Sequence, residues 1–319
     1  MRSENPTQAQ EPTGSVAPAV SAPCLATPHS SLLTPHSFSV CRAITSAANS
    51  SFPFAFRLLN PAKRRAMFAL YAYMRVTDDL ADEPGEPAAK RHALAAWRAG
   101  LRAALAGDFT HPIHPALVET VRRFDIPAQY LFDAIDGMET DTGPVRMQTF
   151  AELYPYCYRV ASAVGLACVR IWGLRPGVTA ADADPPAEAA GIAFQLTNVL
   201  RDLAEDYARD RVYLPADELA RFGCPPERWN DPASANDFRE LMRFQVARAR
   251  DYYRRGVALI PLLSDEGRAI FHVMHGTYRA LLDEIARRDY DVFTSRVRVP
   301  RWRKVLACGS GYFVKWGVL

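Results

Sequence analysis

Residues 198–206 read NVLRDLAED, and residues 78–82 read DDLAD. These two acidic segments lie inside otherwise apolar stretches with helical spacing, where carboxylates are unfavourable unless a cation approaches them. Residues four apart on an α-helix share one face and lie about 6 Å from each other. Asp78 and Asp82 therefore point the same way, and the second segment forms a ladder along one helix face: Asn198, Asp202 and Asp206.

A divalent cation would compensate both acidic segments. Like charges four residues apart on a helix repel each other and weaken it, so the two arrangements call for a counter-ion. Side chains that offer only oxygen ligands suit a hard ion such as Mg²⁺, which keeps several waters and bridges carboxylates to phosphate groups. The two segments together thus predict a paired site for Mg²⁺ and diphosphate.

Each acidic segment also has a simpler interpretation. Residues 78–83 precede Pro84-Gly85 and could form nothing more than a solvated helix end. Residues 198–206 are more specific, because they follow the apolar run GIAFQLT at residues 191–197, which is typical of a buried helix. The metal interpretation therefore depends on both segments occurring in one chain.

The acidic segments are parts of longer motifs. These motifs read YAYMRVTDDLADE at 71–83, QLTNVLRDLAED at 195–206 and RVYLP at 211–215, and they closely resemble the signatures of the squalene/phytoene synthase family. The resemblance extends from about residue 50 to about residue 304. It includes three further stretches: SFPFAF at 51–56, DGMETD at 136–141 and YPYCYRVASAVG at 154–165.

The resemblance implies an all-α fold, namely a single-domain helical isoprenoid synthase with a central cavity in which the two acidic helices face each other. Mg²⁺, with Mn²⁺ as an alternative, would hold the diphosphates of two prenyl substrates there. The implied reaction is a head-to-head (1'-1) condensation of two prenyl diphosphates through a cyclopropylcarbinyl diphosphate. Metal ions and cationic side chains would stabilise the leaving diphosphate, and a dry apolar cavity would protect the carbocation from water.

The resemblance leaves two products open. Geranylgeranyl diphosphate would give phytoene, whereas farnesyl diphosphate would give presqualene diphosphate or squalene for sterol or hopanoid supply. NADPH would be needed only by a full squalene synthase, and the chain contains no G-x-G-x-x-G nucleotide motif. Because a reductant can bind without this motif, the sequence favours phytoene only slightly. A desaturase or cyclase acting downstream would be a partner enzyme.

Carried over position by position, the resemblance assigns the site residues. The metal ligands would be Asp78, Asp82, Asn198, Asp202 and Asp206. Their carboxylates would form the catalytic set together with Tyr158. Diphosphate binding would fall to Arg75 and Arg211, whose guanidinium groups suit phosphate oxygens. The other substrate-binding positions, of which the last two match more loosely, would be Phe52, Tyr71, Gln195, Tyr213, Tyr278 and Arg296. Any single aromatic residue among them could equally belong to ordinary core packing.

Composition argues against several other classes of protein. The chain has 319 residues, a net charge of +3, and 49% hydrophobic and 23% charged residues, as is usual for a globular domain. So small a net charge, with the arginines scattered along the chain, gives no reason to expect a nucleic-acid partner. The six cysteines lie far apart without a C-x-x-C pair, so we expect neither a disulfide framework nor a zinc site. Such cysteine usage suits a reducing cytoplasm, which is the expected location. No apolar run is long enough to span a bilayer.

The chain is expected to contain three parts. Residues 1–45 are rich in Pro, Ser, Ala and Thr and are predicted to be disordered. Residues 46–304 would form the synthase domain. Residues 305–319 contain three aromatic residues and a lysine, which suits a segment lying on the inner face of the membrane as a peripheral anchor. The alternative for this tail is a final helix packed on the core.

Helical periodicity runs through the synthase domain. Apolar residues recur at three- and four-residue intervals in five segments: 88–106, 150–172, 187–207, 237–259 and 266–288. Pairs such as Pro84-Gly85 and Pro185-Pro186 are predicted to separate helices. No run of strands competes with this interpretation.

Two alternative functions are open at this level. Head-to-tail prenyltransferases and terpene cyclases also place acidic helices around Mg²⁺, but the NVLRDLAED pattern followed by Arg211-Val212-Tyr213 argues against both. A catalytically silent helical subunit that binds isoprenoids would not need every ligand position. All five predicted ligands are nevertheless present, which favours an enzyme.

Overall fold

The computed structural model describes residues 28–48 and 55–299, with side chains from Thr34 onward. Helices make up most of this part of the chain, so the all-α prediction is confirmed. In chain order they are α1 (Pro28–Ala47), α2 (Pro61–Asp82), α3 (Pro87–Ala106), α4 (His114–Arg123), α5 (Ala128–Thr140), α6 (Phe150–Cys157), α7 (Ala163–Trp172), α8 (Ala180–Arg201), α9 (Leu203–Ala208), α10 (Ala216–Arg221), α11 (Ala235–Gly256) and α12 (Asp265–Arg287). Short 3-10 turns lie at Phe56–Leu58, Pro226–Arg228, Pro232–Ser234 and Val257–Leu262.

Two adjoining groups of buried side chains form the core. The first group lies among α1 to α5, α7 and the first half of α12, and it includes Leu70 and Leu117. The second group lies among α6, α11 and the second half of α12, and it includes Leu153 and Leu241. Helix α8 belongs to both groups and packs against α7, α11 and α12. The helix that carries the second acidic segment is thus the central element of the fold.

Helix α2 is defined sharply at both ends. The Asn60 side chain caps it by accepting the backbone N–H groups of Ala62 and Lys63 at 3.1 Å each, and Pro61 occupies its first turn. The helix ends at Asp82, two residues before Pro84. Its last turn therefore holds the carboxylates of Asp79 and Asp82 and no basic residue, at the end where the helix dipole is negative. This placement adds to the electrostatic cost of the acidic segment.

Helix α8 differs from the sequence-based prediction in two places. Pro185-Pro186 was expected to separate helices, yet the helix begins earlier, at Ala180, where Thr179 and Asp182 form a reciprocal capping box. The two prolines lie in its first turns, where burial of the following residues on the core outweighs the lost hydrogen bonds. At the other end, α8 stops at Arg201 and α9 resumes at Leu203. The acidic ladder therefore crosses a break at Asp202 and does not lie on one continuous helix.

The segment predicted as one helix over 150–172 contains a π-helical turn. It consists of α6, the turn at Tyr158–Ser162 and α7. Such turns widen a helix locally and are frequent at functional sites. Here the Ser162 hydroxyl donates to the backbone carbonyl oxygen of Glu188 on α8 at 2.8 Å, so the turn also anchors the central helix.

The prediction of disorder through residue 45 is wrong for residues 28–45, which lie in α1. Cys41 and Thr45 are fully buried on α1, and the Ser37 hydroxyl accepts the backbone N–H of Ala116 at 3.0 Å. The proline-rich composition concealed this helix, because α1 is held by packing on α2 and α4 and tolerates Pro35 inside it. The rest of the predicted disordered segment, residues 1–27, lies outside the described residues, as does the tail at 305–319.

A pair of two-residue strands was not predicted. Strands β1 (Val145–Arg146) and β2 (Arg211–Val212) run parallel, with Val145 opposite Arg211. Strands this short leave no alternating pattern in the sequence. Their pairing holds the loop that follows α5 against the loop that follows α9.

Two further expectations can be compared with the structure. Within the described ranges, Cys41, Cys157, Cys168 and Cys224 are buried and unpaired. Among the helices of these ranges, none combines the length and the apolar character that crossing a bilayer requires.

The contact between α8 and the π turn generates a test of the packing. A Cβ atom at Gly191 would lie 2.5 Å from Cα and 2.7 Å from the backbone nitrogen of Ser162, so a backbone would have to move. We expect Gly191→Ala to lower the free energy of unfolding by about 1–3 kcal/mol. A Cβ at Gly276 of α12 meets nothing within 4 Å, so Gly276→Ala should be neutral or slightly stabilising. Urea unfolding followed by circular dichroism measures both variants, and equal stability of the two would contradict this account.

Candidate active site

Two adjoining cavities lie between α2 and α8. A polar pocket of about 480 Å³ is enclosed by the C-terminal half of α2 and by the residues around the break between α8 and α9. An apolar cavity of about 250 Å³ lies beside it among α2, α7, α8 and α12. Gln195 and Asn198 line both spaces. The polar pocket collects most of the predicted site residues: Arg75, Asp78, Asp82, Gln195, Asn198, Asp202, Asp206, Arg211, Tyr213 and Arg296.

The negative charge of Asp78 on α2 is destabilised by its surroundings and only partly compensated by a neighbouring arginine. Loss of solvent raises the pKa of its carboxyl to about 6, and the nearby carboxylate of Asp82 contributes further. Arg75 opposes this shift, with a guanidinium nitrogen 3.2 Å from the Asp78 carboxylate and a second contact to Asp79. The charged form of Asp78 is therefore under-compensated in the pocket.

Asp206 on α9 shows the same behaviour on the opposite wall. Burial, and to a smaller extent repulsion from Asp202, raises the pKa of its carboxyl to about 7. Asp202 itself is paired, with Arg201 beside it and a guanidinium nitrogen of Arg296 at 3.0 Å. Both walls thus present a carboxylate that a cation in the pocket would stabilise in its charged form.

The arginines of the pocket connect the two acidic walls. A guanidinium nitrogen of Arg211 lies 3.5 Å from the Asp82 carboxylate, and one of Arg209 lies 3.6 Å from it. Arg296 joins Asp202 and Glu205, at 3.0 and 3.3 Å. Arg209 was not predicted, because the sequence offers no spacing signal for a residue in this loop.

The donor set fits a divalent cation bound together with phosphate. Oδ1 of Asn198 is buried without a hydrogen-bond partner, while its amide nitrogen donates to Oε1 of Gln195 at 3.2 Å. An unpartnered oxygen beside carboxylates of raised pKa is what a hard cation would satisfy. No three His, Cys, Asp or Glu side chains of the described residues are arranged to hold a metal ion by themselves. Phosphate oxygens and water would therefore complete its coordination, as is usual for Mg²⁺.

Asp141 organises a buried cluster that sequence reasoning missed. The hydroxyl groups of Tyr213 and Tyr156 donate to its two carboxylate oxygens, the latter at 3.0 Å, and Arg211 donates to its backbone carbonyl oxygen. The two tyrosine rings stack with centroids 4.8 Å apart. Burial raises the pKa of the Asp141 carboxyl to about 6, and the hydrogen bond from Tyr213 moderates this shift. Asp141 ends the DGMETD motif, but nothing in its spacing indicated that it holds Tyr213 and Arg211.

Aromatic rings form much of the wall of the apolar cavity. Tyr71 and Tyr278 line it, as predicted, and Tyr278 stacks on Phe194 with ring centroids 4.6 Å apart. Further aromatic lining residues, which were not predicted, are Phe56, Trp172, Phe194 and Phe271. Their spacing is that of ordinary core positions, so only the packing of α7, α8 and α12 shows that they face a cavity.

Tyr158 does not line either cavity, contrary to its predicted catalytic position. It begins the π turn and is partly exposed, whereas Tyr156, two residues earlier, is buried and lines the polar pocket. Residues two apart on a helix point about 200° from each other, so only one of the two tyrosines can face the site. Phe52 lies outside the described residues, and its predicted contact with substrate stays a prediction.

The sequence and the fold of the chain match a known family. A model of that family, described as squalene/phytoene synthase, matches residues 45–303. The chain belongs to the squalene/phytoene synthase family. The chain is therefore a prenyltransferase of this type, for which the family implies prenyl diphosphate substrates and a divalent metal.

Similar proteins include phytoene synthases and structurally characterised synthases. The chain is 37% identical to the phytoene synthase of Arthrospira platensis, over 89% of this chain and 94% of that protein. It is 38% identical to the 15-cis-phytoene synthase of Synechococcus elongatus, over 83% and 89% of the two chains. A crystal structure of a dehydrosqualene synthase with a ligand superposes with a TM-score of 0.79 at 27% identity, covering 89% of this chain and 98% of that one.

The acidic walls generate a direct test of the metal-site interpretation. We expect Asp78→Ala or Asp202→Ala to lower turnover by at least about 100-fold, because each removes a carboxylate that faces the pocket. Asp251→Ala on α11 is a matched control, since this side chain is 52% exposed outside the pocket. Diphosphate release measures turnover, and circular dichroism verifies that the helices persist. Full activity in either pocket variant would rule out this assignment.

The Asp141 cluster generates a second test. Asp141→Ala would leave two buried tyrosine hydroxyls without their acceptor, so the free energy of unfolding should fall by about 1–3 kcal/mol. KM for the diphosphate substrate should also rise, because Tyr213 and Arg211 would lose their positioning partner. Asp141→Asn, which retains an acceptor oxygen, should restore part of both losses. Asp108→Ala, at an exposed position after α3, is the control, and an Asp141→Ala variant that matches it in stability and KM would disprove the role.

Proposed function

We propose that this enzyme condenses two molecules of geranylgeranyl diphosphate head to head to form phytoene, in a reaction that depends on Mg²⁺. The observation that carries this proposal is the junction of the two cavities at Gln195 and Asn198, where a pocket of carboxylates and arginines opens beside an aromatic, apolar cavity. A prenyl diphosphate has the same two parts. Its diphosphate fits the polar pocket and its hydrocarbon chain fits the apolar cavity.

The residues of the polar pocket would hold the diphosphate group. Mg²⁺, or Mn²⁺ as an alternative, would be held by Asp78, Asp82, Asn198, Asp202 and Asp206. When bound, this ion would act as a Lewis acid that stabilises negative charge on the leaving diphosphate. Arg75 and Arg211 would donate hydrogen bonds to the same group, exchanging their present carboxylate partners for phosphate oxygens.

The apolar cavity would control the carbocation. Ionisation of the first substrate breaks its C–O bond and leaves an allylic cation, which the double bond of the second substrate attacks. Loss of a proton closes the cyclopropane ring, and loss of the second diphosphate, rearrangement and loss of another proton give the C40 product. The rings of Tyr71, Phe194 and Tyr278 can stabilise these cations through their faces, while the apolar walls keep out water.

The proteins similar to this chain support two candidate products. The relatives in sequence named above are phytoene synthases at 37% and 38% identity, which supports the C40 product. Formation of presqualene diphosphate or squalene from farnesyl diphosphate is the second candidate, supported by the similarity to the structure of a dehydrosqualene synthase. Squalene would also require a hydride donor such as NADPH. A silent isoprenoid-binding subunit is disfavoured, because both acidic walls retain their carboxylates.

A product assay tests this proposal. The purified protein is incubated with Mg²⁺ and either geranylgeranyl or farnesyl diphosphate, with and without NADPH, and the extract is identified by mass spectrometry. We expect phytoene from geranylgeranyl diphosphate without NADPH, and no product in EDTA or from Asp202→Ala. If only farnesyl diphosphate reacts and gives presqualene diphosphate, or squalene when NADPH is present, the second candidate is correct and the phytoene proposal is wrong. No condensation product from either substrate would reject both.

A further inference from the structure

A basic groove lies at the opposite end of α2 from the carboxylates. It is formed by α1, the turn before α2 and the first turns of α2, and its lining includes one carboxylate, that of Glu119. Four arginines line the same groove: Arg42, Arg57, Arg64 and Arg65. The whole chain has a net charge of only +3, so this groove is a local concentration of positive charge.

Neutral groups hold two of these arginines in place. The guanidinium of Arg64 donates to the backbone carbonyl oxygens of Phe56 and Leu59, at 3.2 and 2.9 Å. That of Arg65 lies over the Phe38 ring, 5.7 Å from its centroid. Carbonyl oxygens and an aromatic face fix a guanidinium without neutralising it. The positive charges of Arg64 and Arg65 are therefore not neutralised by these contacts and remain available to an anion.

The wall of the groove includes aromatic side chains and adjoins the apolar cavity. Phe38 and Phe68 both line the groove. Phe68 packs edge to face on Phe56, with ring centroids 5.8 Å apart, and Phe56 lines the apolar cavity. One pair of aromatic rings thus stands between a basic surface groove and the cavity that would hold the hydrocarbon.

We propose that this groove docks the enzyme on a bilayer that contains anionic lipids. Its arginines complement lipid phosphates, and its phenyl rings complement the boundary between headgroups and acyl chains. The groove has a volume of about 960 Å³ and four arginines among its lining residues, which suits several headgroups better than one small anion. The inference rests on the proposed function, because a hydrocarbon product needs a lipid phase to accept it.

The orientation follows from the length of α2. Arg65 and Asp78 are 13 residues apart on this uninterrupted helix, which corresponds to about 20 Å. With the groove on the bilayer, the polar pocket lies away from it, so released diphosphate enters water. The apolar cavity lies between the two, with its Phe56 end nearest the lipid.

Vesicle flotation of the full chain tests this inference. The bound fraction is measured on neutral phosphatidylcholine vesicles and on vesicles with 30% phosphatidylglycerol, at about 0.05 M and 0.5 M NaCl. We expect binding to the anionic vesicles at low salt only. The double variant Arg42→Gln and Arg65→Gln should weaken it by about 10- to 30-fold, on the basis of about fivefold per basic residue.

Two further variants separate the groove from other causes. Arg42→Lys with Arg65→Lys keeps the charge and should retain most of the binding. Arg91→Gln with Arg102→Gln removes the same charge from exposed positions on α3 and should bind like the unmodified protein. Equal loss in this control pair, or equal binding to neutral vesicles, would overturn the proposal. So would loss of binding on removal of residues 305–319 while the groove variant still binds, because the tail would then be the anchor.

Activity in detergent distinguishes failure of this inference from failure of the proposed function. Neither Arg42 nor Arg65 belongs to the pocket or the apolar cavity, so diphosphate release with detergent-dispersed substrate should be unchanged in the groove variant. A groove variant that retains this activity but no longer floats supports docking. An active enzyme that never binds anionic vesicles refutes the docking proposal and leaves the proposed function standing.

Discussion

Repulsion between neighbouring carboxylates within each of two facing walls is the constraint on which the rest of the structure depends. Asp78 and Asp206 lie on different helices, and the pKa of each is raised by burial and by a neighbouring carboxylate. Such groups would separate or remain protonated unless a frame held them together and a cation joined them. The frame is α8, which packs on α6, α7, α11 and α12 and approaches the π turn without an intervening side chain at Gly191. The packing of α8 on its neighbours thus offsets the unfavourable free energy of placing these carboxylates close together, as is common at functional sites.

The polar pocket and the apolar cavity are separate surfaces that meet along one boundary, and this separation determines what the site can bind. Gln195 and Asn198 lie at the boundary, with arginines and carboxylates on one side and aromatic rings on the other. A substrate that is anionic at one end and hydrocarbon at the other can satisfy both surfaces only in one orientation. Asp141 adds a further element, because its hydrogen bonds to two tyrosines fix one wall of the polar pocket from a loop. The pocket is therefore supported from outside the two acidic helices as well.

The acidic segments could be predicted from the sequence because the residues of each segment are close together in the chain. Spacing of four residues placed Asp78 with Asp82 on one helix face, and Asn198 with Asp202 and Asp206 on another. The family motifs predicted that the two faces and Arg211 belong to one site. Contacts between distant segments were not accessible in the same way: Asp141 reaches Tyr213 across 72 residues, and α1 is stabilised by helices that lie far along the chain. The break at Asp202 was concealed because the backbone bonds from Asp202 to Asn198 and from Asp206 to Asp202, both 2.9 Å, preserve the four-residue spacing through it. Tyr158 was assigned from the family motif alone, and the sequence pattern does not show that Tyr156 lines the polar pocket in its place.

Helix α2 is uninterrupted, so the position of a residue along it gives its distance from the polar pocket. Its residues contribute in turn to the groove, the apolar cavity and the polar pocket, as Phe68, Tyr71 and Asp78 illustrate. Because each residue advances the helix by about 1.5 Å, Phe68 lies about 15 Å from Asp78 along its axis. Residue number on α2 is thus a measure of depth, and moving a bulky side chain by one turn shifts the obstruction by about 5.4 Å. The distances between the groove, the apolar cavity and the polar pocket are therefore fixed along a single helix.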